Sequence, residues 1–171
     1  MKHLLVLSLL IILVGCTHFN IDMTEYSEQK GLESCNITVF DNRPDLRIIG
    51  RDISFDVTPS MDQIVSFKLC KNPLVKDYFN KNGNISIHIN DIRIENIHGP
   101  FSYEVIGNLY GEMYIGDSPI SLHAYASAFQ KASELAPSTY QRVLDLMTND
   151  LTSDIETILK TQRLADKKSE F

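Results

Sequence analysis

No stretch of this chain is apolar for long enough to cross a bilayer as a helix, none forms a basic run, and cysteine occurs only at positions 16, 35 and 70. Each shortage excludes something. The longest apolar segment, Leu4 to Val14 with Ser8 inside it, is about half the roughly 20 residues a transmembrane helix needs. Sixteen Lys and Arg face 22 Asp and Glu, which leaves no surface of the kind that binds nucleic acid by displacing counterions. The cysteines lack C-x-x-C spacing, and His88, His98 and His123 lack H-x-x-x-H or H-E-x-x-H spacing, so no local motif for a metal is present. The G-x-S-x-G elbow, the P-loop and the dinucleotide glycine pattern are also missing. The expectation is therefore no cofactor, no metal and no enzyme.

What is present begins at the first residue. Met1-Lys2-His3 is a basic head, the apolar segment follows, and Gly15-Cys16 closes it before Thr17-His18 turns polar, the layout of a secretory signal. An ordinary signal ends in an A-x-A-like site. Leu13-Val14-Gly15-Cys16 instead resembles the lipobox of bacterial lipoproteins. The resemblance implies cleavage before Cys16, a diacylglyceryl group on its sulfur and acylation of the new amino terminus. Each buried methylene contributes about 0.8 kcal/mol, so one chain holds marginally and two or three hold stably. Thr17 stands where an aspartate would, by resemblance to enterobacterial lipoproteins, argue for inner-membrane retention. The expected place is the periplasmic face of the outer membrane, and the expected partners are that membrane and an envelope protein.

Cleavage removes Lys2, so 15 basic residues stand against 22 acidic ones and the net charge becomes −7. The remaining length suits one domain with a single core. We divide the chain into a signal (1–15), the lipidated Cys16 with a flexible tether (16–34), one domain (35–164) and a fraying tail (165–171). The tether assignment rests on THFNIDMTEYSEQKGLES, which is mostly polar and lacks a sustained period. Cys35 and Cys70 remain in a compartment where disulfides persist. They form a bridge worth about 3 to 4 kcal/mol, or they are two independent buried thiols; spacing alone does not decide.

Within the domain, Ile37, Val39 and Phe40 make a short β-rich run that ends in the turn formers Asp41-Asn42-Arg43-Pro44-Asp45. RDISFDV and IVSFKLC both alternate and read as extended, although Ser60 and Gln63 have the capping-box spacing that would open a helix at the second. Asn72-Pro73 is a helix start, and Leu74, Val75, Tyr78 and Phe79 share a face before Asn82-Gly83, giving a helix at about 73 to 82. Ile85, Ile87 and Ile89 alternate, Asn90-Asp91 inserts an extra polar residue as a β-bulge would, and Ile92 and Ile94 resume. Phe101, Tyr103, Val105, Leu109, Met113 and Ile115 share one parity, as do Ile120, Leu122, Ala124, Ala126 and Ala128. These three runs read as an antiparallel meander, its alanines leaving room for a helix. That helix is expected at about 138 to 162, where Tyr140, Val143, Leu144, Met147, Leu151, Ile155, Ile158 and Leu159 form one stripe. The fold class is α+β: an antiparallel sheet, or a mixed one, with two helices on one face. The other face mixes polar residues with Ile106, Tyr110, Tyr114, Tyr125 and Phe129, a candidate partner surface.

VFDNRPDLRIIGR resembles the YajG-type family of bacterial envelope lipoproteins, whose mature domain opens with a strand, then Asp-x-Arg-Pro, then Gly-Arg. The matching positions are Asp41, Arg43, Pro44, Gly50 and Arg51. The resemblance implies class and location and no chemistry. Read from the residues alone, the motif is a turn in which Arg43 or Arg51 pairs with Asp41 or Asp45, or a site for a partner. Three functions follow: a non-catalytic binding or accessory module of the envelope; a carrier of a small apolar or cell-wall-derived ligand in a sheet-helix pocket; and a hydrolase using His88 or His123.

Overall fold

The computed structural model describes residues 17–26, 37–50, 53–81, 85–131 and 137–169. In chain order these form β1 (Thr17–Asp22), a 3-10 turn (Thr24–Tyr26), β2 (Thr38–Asp41), β3 (Ile48–Gly50), β4 (Ile53–Thr58), α1 (Met61–Lys71), α2 (Pro73–Lys81), β5 (Ile85–His98), β6 (Ser102–Ile115), β7 (Ser118–Lys131) and α3 (Pro137–Ser169). The protein is α+β, and its sheet is mixed and larger than the three-strand meander expected from the alternation. Seven strands run in the order β1-β4-β3-β5-β6-β7, with β2 also pairing β5.

The meander follows the period-two pattern: β5, β6 and β7 pair antiparallel, and the register shifts between Ile89 and Asp91, where the extra polar residue lies. β2 and β3 lie end to end along one edge of β5, both parallel to it, with Phe40 opposite His88 and Ile49 opposite Arg93. Residues 42–47 join them across the bulge, and the Asn42 N–H donates to Ile89 O at 2.9 Å.

Two expectations are corrected here. Residues 17–22 are a strand and not a tether: β1 pairs in parallel with β4 from Thr17–Ile53 to Asp22–Thr58, and Ile21 and Met23 are buried. The run IVSFKLC is helical. Its polar members do not mark a solvent side, because Lys68 is buried along with Met61, Ile64, Val65, Phe67 and Leu69, the broad face of a helix packed on the core. The Ser60 side chain makes no capping bond.

Asn72 separates α1 from α2 in extended conformation. Its N–H closes α1 on Leu69 O, its Oδ1 accepts from the Leu74 and Val75 N–H groups as the cap of α2, and its Nδ2 donates to Glu156 of α3 at 2.7 Å.

Among the described residues there are thus three α-helices rather than two. α3 extends to Ser169, so helical backbone continues into the segment expected to fray. The alanines of β7 do let α3 approach: Ala124, Ala126 and Ala128 are buried with Val143, Leu144, Met147 and Leu151. Gly107 of β6 belongs to the same contact, since a Cβ there would stand 2.6 Å from Val143 Cγ1. β7 is an edge strand, and the Asp150 carboxylate of α3 accepts its Tyr125 N–H at 3.0 Å.

Candidate functional site

The Asp-x-Arg-Pro segment is built as a clamp. Asp41 and Arg43 are bonded bidentately, Nε to Oδ1 at 2.8 Å and Nη2 to Oδ2 at 2.6 Å, with side-chain exposures of 6% and 5%. The Arg43 N–H donates to the same carboxylate. The pair faces the buried side of the sheet, since Asp41 is in register with Ile89, which is fully buried. Arg43 Nη1 has no hydrogen-bond partner among the described residues. Pro44 is exposed. Asp45 repeats the motif at the surface, where hydrogen bonds from the Arg47 side chain and N–H hold its carboxyl down at about 2. Gly50 marks a close approach: a Cβ there would lie 2.7 Å from Ile94 O. Arg51, Cys16 and Cys35 lie outside the described residues. Cys70 is disulfide-bonded, and its partner also lies outside them.

A second cluster joins the 3-10 turn, α1 and α3. Lys68 Nζ donates to Asp145 Oδ1 at 2.5 Å, Asp145 O at 2.9 Å and Asn149 Oδ1 at 2.7 Å, while Tyr26 OH donates to Asp145 Oδ1. Burial lowers the lysine's pKa despite its carboxylate partner. Burial also pushes Asp145 upward, but the bonds from Lys68 and Tyr26 outweigh it and hold the carboxyl below its ordinary range. Burial, then Asp145, raise the Tyr26 phenol. The cleft beside them, about 440 Å³, is also lined by Lys71, Asn72 and Glu156. All three ammonium protons are engaged, so Lys68 is a brace and not a nucleophile. Nothing in the sequence marked this pair beyond one lysine in an apolar run.

His88 and His123 sit apart on the outer sheet face, each with its own partners. The Asn42 amide nitrogen lies 2.9 Å from His88 Nδ1, and Ser86 Oγ 3.0 Å from Nε2. His123 bonds Asn108 Oδ1 at 3.1 Å and stacks on Tyr110. No group of three or more His, Cys, Asp or Glu able to hold a metal occurs among the described residues.

The remaining feature is the sheet face turned away from the helices. It carries Phe40, Ile49, Ile97, Tyr110, Tyr125 and Phe129, all exposed, with His88 between Phe40 and Tyr114 in ring contact. Phe101, expected on the core parity of β6, lies outside that strand in the β5–β6 turn and is 85% exposed. Phe129, at 74%, is next. A cleft of about 580 Å³ opens where β3 stops at Gly50 while β5 continues to His98.

No family model matches the chain, and no curated protein matches it in sequence. The YajG-type resemblance therefore stands on its motif alone. Among solved structures, the chain is similar to the rare lipoprotein B from Shewanella oneidensis at 10% identity, covering 79% of this chain and 98% of that one, with a TM-score of 0.35. It is similar to an uncharacterised protein at 11% identity, covering 85% and 98%, with a TM-score of 0.33. Among the described residues no helix is long and apolar enough to cross a membrane.

Proposed function

We propose that the protein is a bacterial envelope lipoprotein, acylated at Cys16 and held on the periplasmic face of the outer membrane, whose folded part is a non-catalytic binding or accessory module. The observation that carries this is Leu13-Val14-Gly15-Cys16 directly after the apolar segment. The Asp-x-Arg-Pro and Gly-Arg motif of the YajG-type resemblance supports the same class. Phe40, Tyr110 and Tyr125 of the outer sheet face are the surface offered to an envelope protein partner. Cys16→Ser should abolish acylation and release the protein from membranes. Unmodified Cys16 on soluble natively exported protein overturns the reading. Photocrosslinking from Tyr110 or Tyr125 in intact cells tests the partner surface.

A second reading, a carrier of a small apolar or cell-wall-derived ligand, draws on the 580 Å³ cleft, whose size is within the usual range for such sites. The cleft lies at the sheet rather than between sheet and helices. Native mass spectrometry of the exported protein, with a ligand retained or not, decides it.

A further inference from the structure

The register fixes where the chain enters the sheet. Thr17 is opposite Ile53, which continues the β3–β4 register to Gly50; Gly50 is opposite Ile94, Ile94 opposite Gly107, and Gly107 opposite Ala126. These residues form one row across all six strands of the path. β1 runs antiparallel to β5, so its Thr17 end faces the end of the sheet where β5 finishes at His98, β6 begins at Ser102 and β7 finishes at Lys131. Beyond that row, on the outer face, lie Ile97 and Phe129 on either side of Glu104, and Phe101 occupies the turn. The two most exposed large apolar side chains among the described residues are thus at the end of the sheet that the Thr17 end of β1 faces.

We propose that this end, carrying Ile97, Phe101 and Phe129, sits on the lipid bilayer that holds the Cys16 acyl chains. The inference rests on the proposed acylation of Cys16 and adds an orientation to it. Thr17 is already paired with Ile53 and is one peptide bond from Cys16, so little chain is available for the domain to stand away from the surface. The end it holds down is the one whose phenylalanines have no cover among the described residues, as interfacial insertion requires. The charges around them, Arg93, Glu95, Glu104 and Lys131, are of both signs. The contact therefore depends on apolar burial and not on anionic headgroups, and it withstands salt.

The chain has seven tyrosines and no tryptophan, so each introduced tryptophan is the sole indole and is excited selectively on the long-wavelength side of tyrosine absorption. Full-length protein from a bacterial host, carrying Phe101→Trp, Phe129→Trp or Phe40→Trp, is reconstituted into phosphatidylethanolamine and phosphatidylglycerol vesicles with and without brominated acyl chains. Phe40 is on the same face, opposite His88, about 30 Å along the strands from Ile97. Reporters at 101 and 129 should emit to the blue and be quenched by bromine equally at low and high salt, while the reporter at 40 is unquenched. Water-like, unquenched emission at 101 and 129 overturns the proposal. Blue-shifted but unquenched emission also overturns it, since protein would then cover the site, as a partner or a second copy. Mass spectrometry of the amino-terminal peptide separates the failures: unmodified Cys16 overturns the anchor, and acylated Cys16 with water-exposed reporters overturns the orientation alone.

Discussion

Removing the Arg43 side chain leaves the Asp41 carboxylate, 6% exposed, without the two side-chain N–H groups that hold it. Breaking a buried ion pair from one side costs about 3 to 5 kcal/mol, while replacing both partners by apolar groups is often neutral. Arg43→Ala should therefore lower the urea midpoint strongly, and Asp41→Leu with Arg43→Met should recover most of the loss. A contact-only role predicts an unchanged midpoint for both. Asp145 adds a pH term. Its folded-state carboxyl is held below the ordinary value by Lys68 and Tyr26, so its contribution is fully present above the unfolded pKa of about 4 and is lost as pH falls through the folded one. Asp145→Asn should be less stable at pH 7, and its stability curve should converge with the parent's in acid. Urea titrations from pH 7 to 2 check this.

At the level of elements, two glycines of β6 make different demands. A Cβ at Gly107 meets the tip of Val143, which can be removed, whereas a Cβ at Gly111 meets the backbone oxygen of His88 at 2.5 Å, which cannot. Gly107→Ala should cost about 1 to 3 kcal/mol and be partly rescued by Val143→Ala; Gly111→Ala should find no such rescue. A double-mutant cycle reads both. The meander, its bulge, the Asn72 cap and the α3 stripe were legible because each has one solvent face and one core face, and a period records that difference. α1 was misread because Lys68, polar in the sequence, is buried against Asp145, so the polar positions of VSFKLC do not mark the solvent side. β1 was missed because the outward side chains of an edge strand can be polar: His18 and Asn20 are exposed, and Ile21 is the core's share. Of the candidate sites, the Asp41–Arg43 clamp was visible from residue types within two positions. The exposed end was not, because parity alone placed Phe101 in the core.

For the molecule as a whole, the burial of Ile21 and Met23 means that the first strand is part of the stability of everything else. Deleting a buried aliphatic side chain costs about 2 to 5 kcal/mol, and two of them approach a typical domain's whole stability of about 5 to 15 kcal/mol. A chain beginning at residue 33 should lack a cooperative melting transition by calorimetry, whereas one beginning at residue 17 should retain it. The direction of that strand also governs how the protein answers a pull. A load applied through Thr17 from the Cys16 side acts along the axis of β1 and slides it past β4, so the ladder from Thr17–Ile53 to Asp22–Thr58 is strained along its whole length at once. Had β1 entered from its opposite end, the same load would peel the rungs one after another. The parallel register thus makes the attachment a lap joint, strong in the direction in which an anchored domain would be tugged.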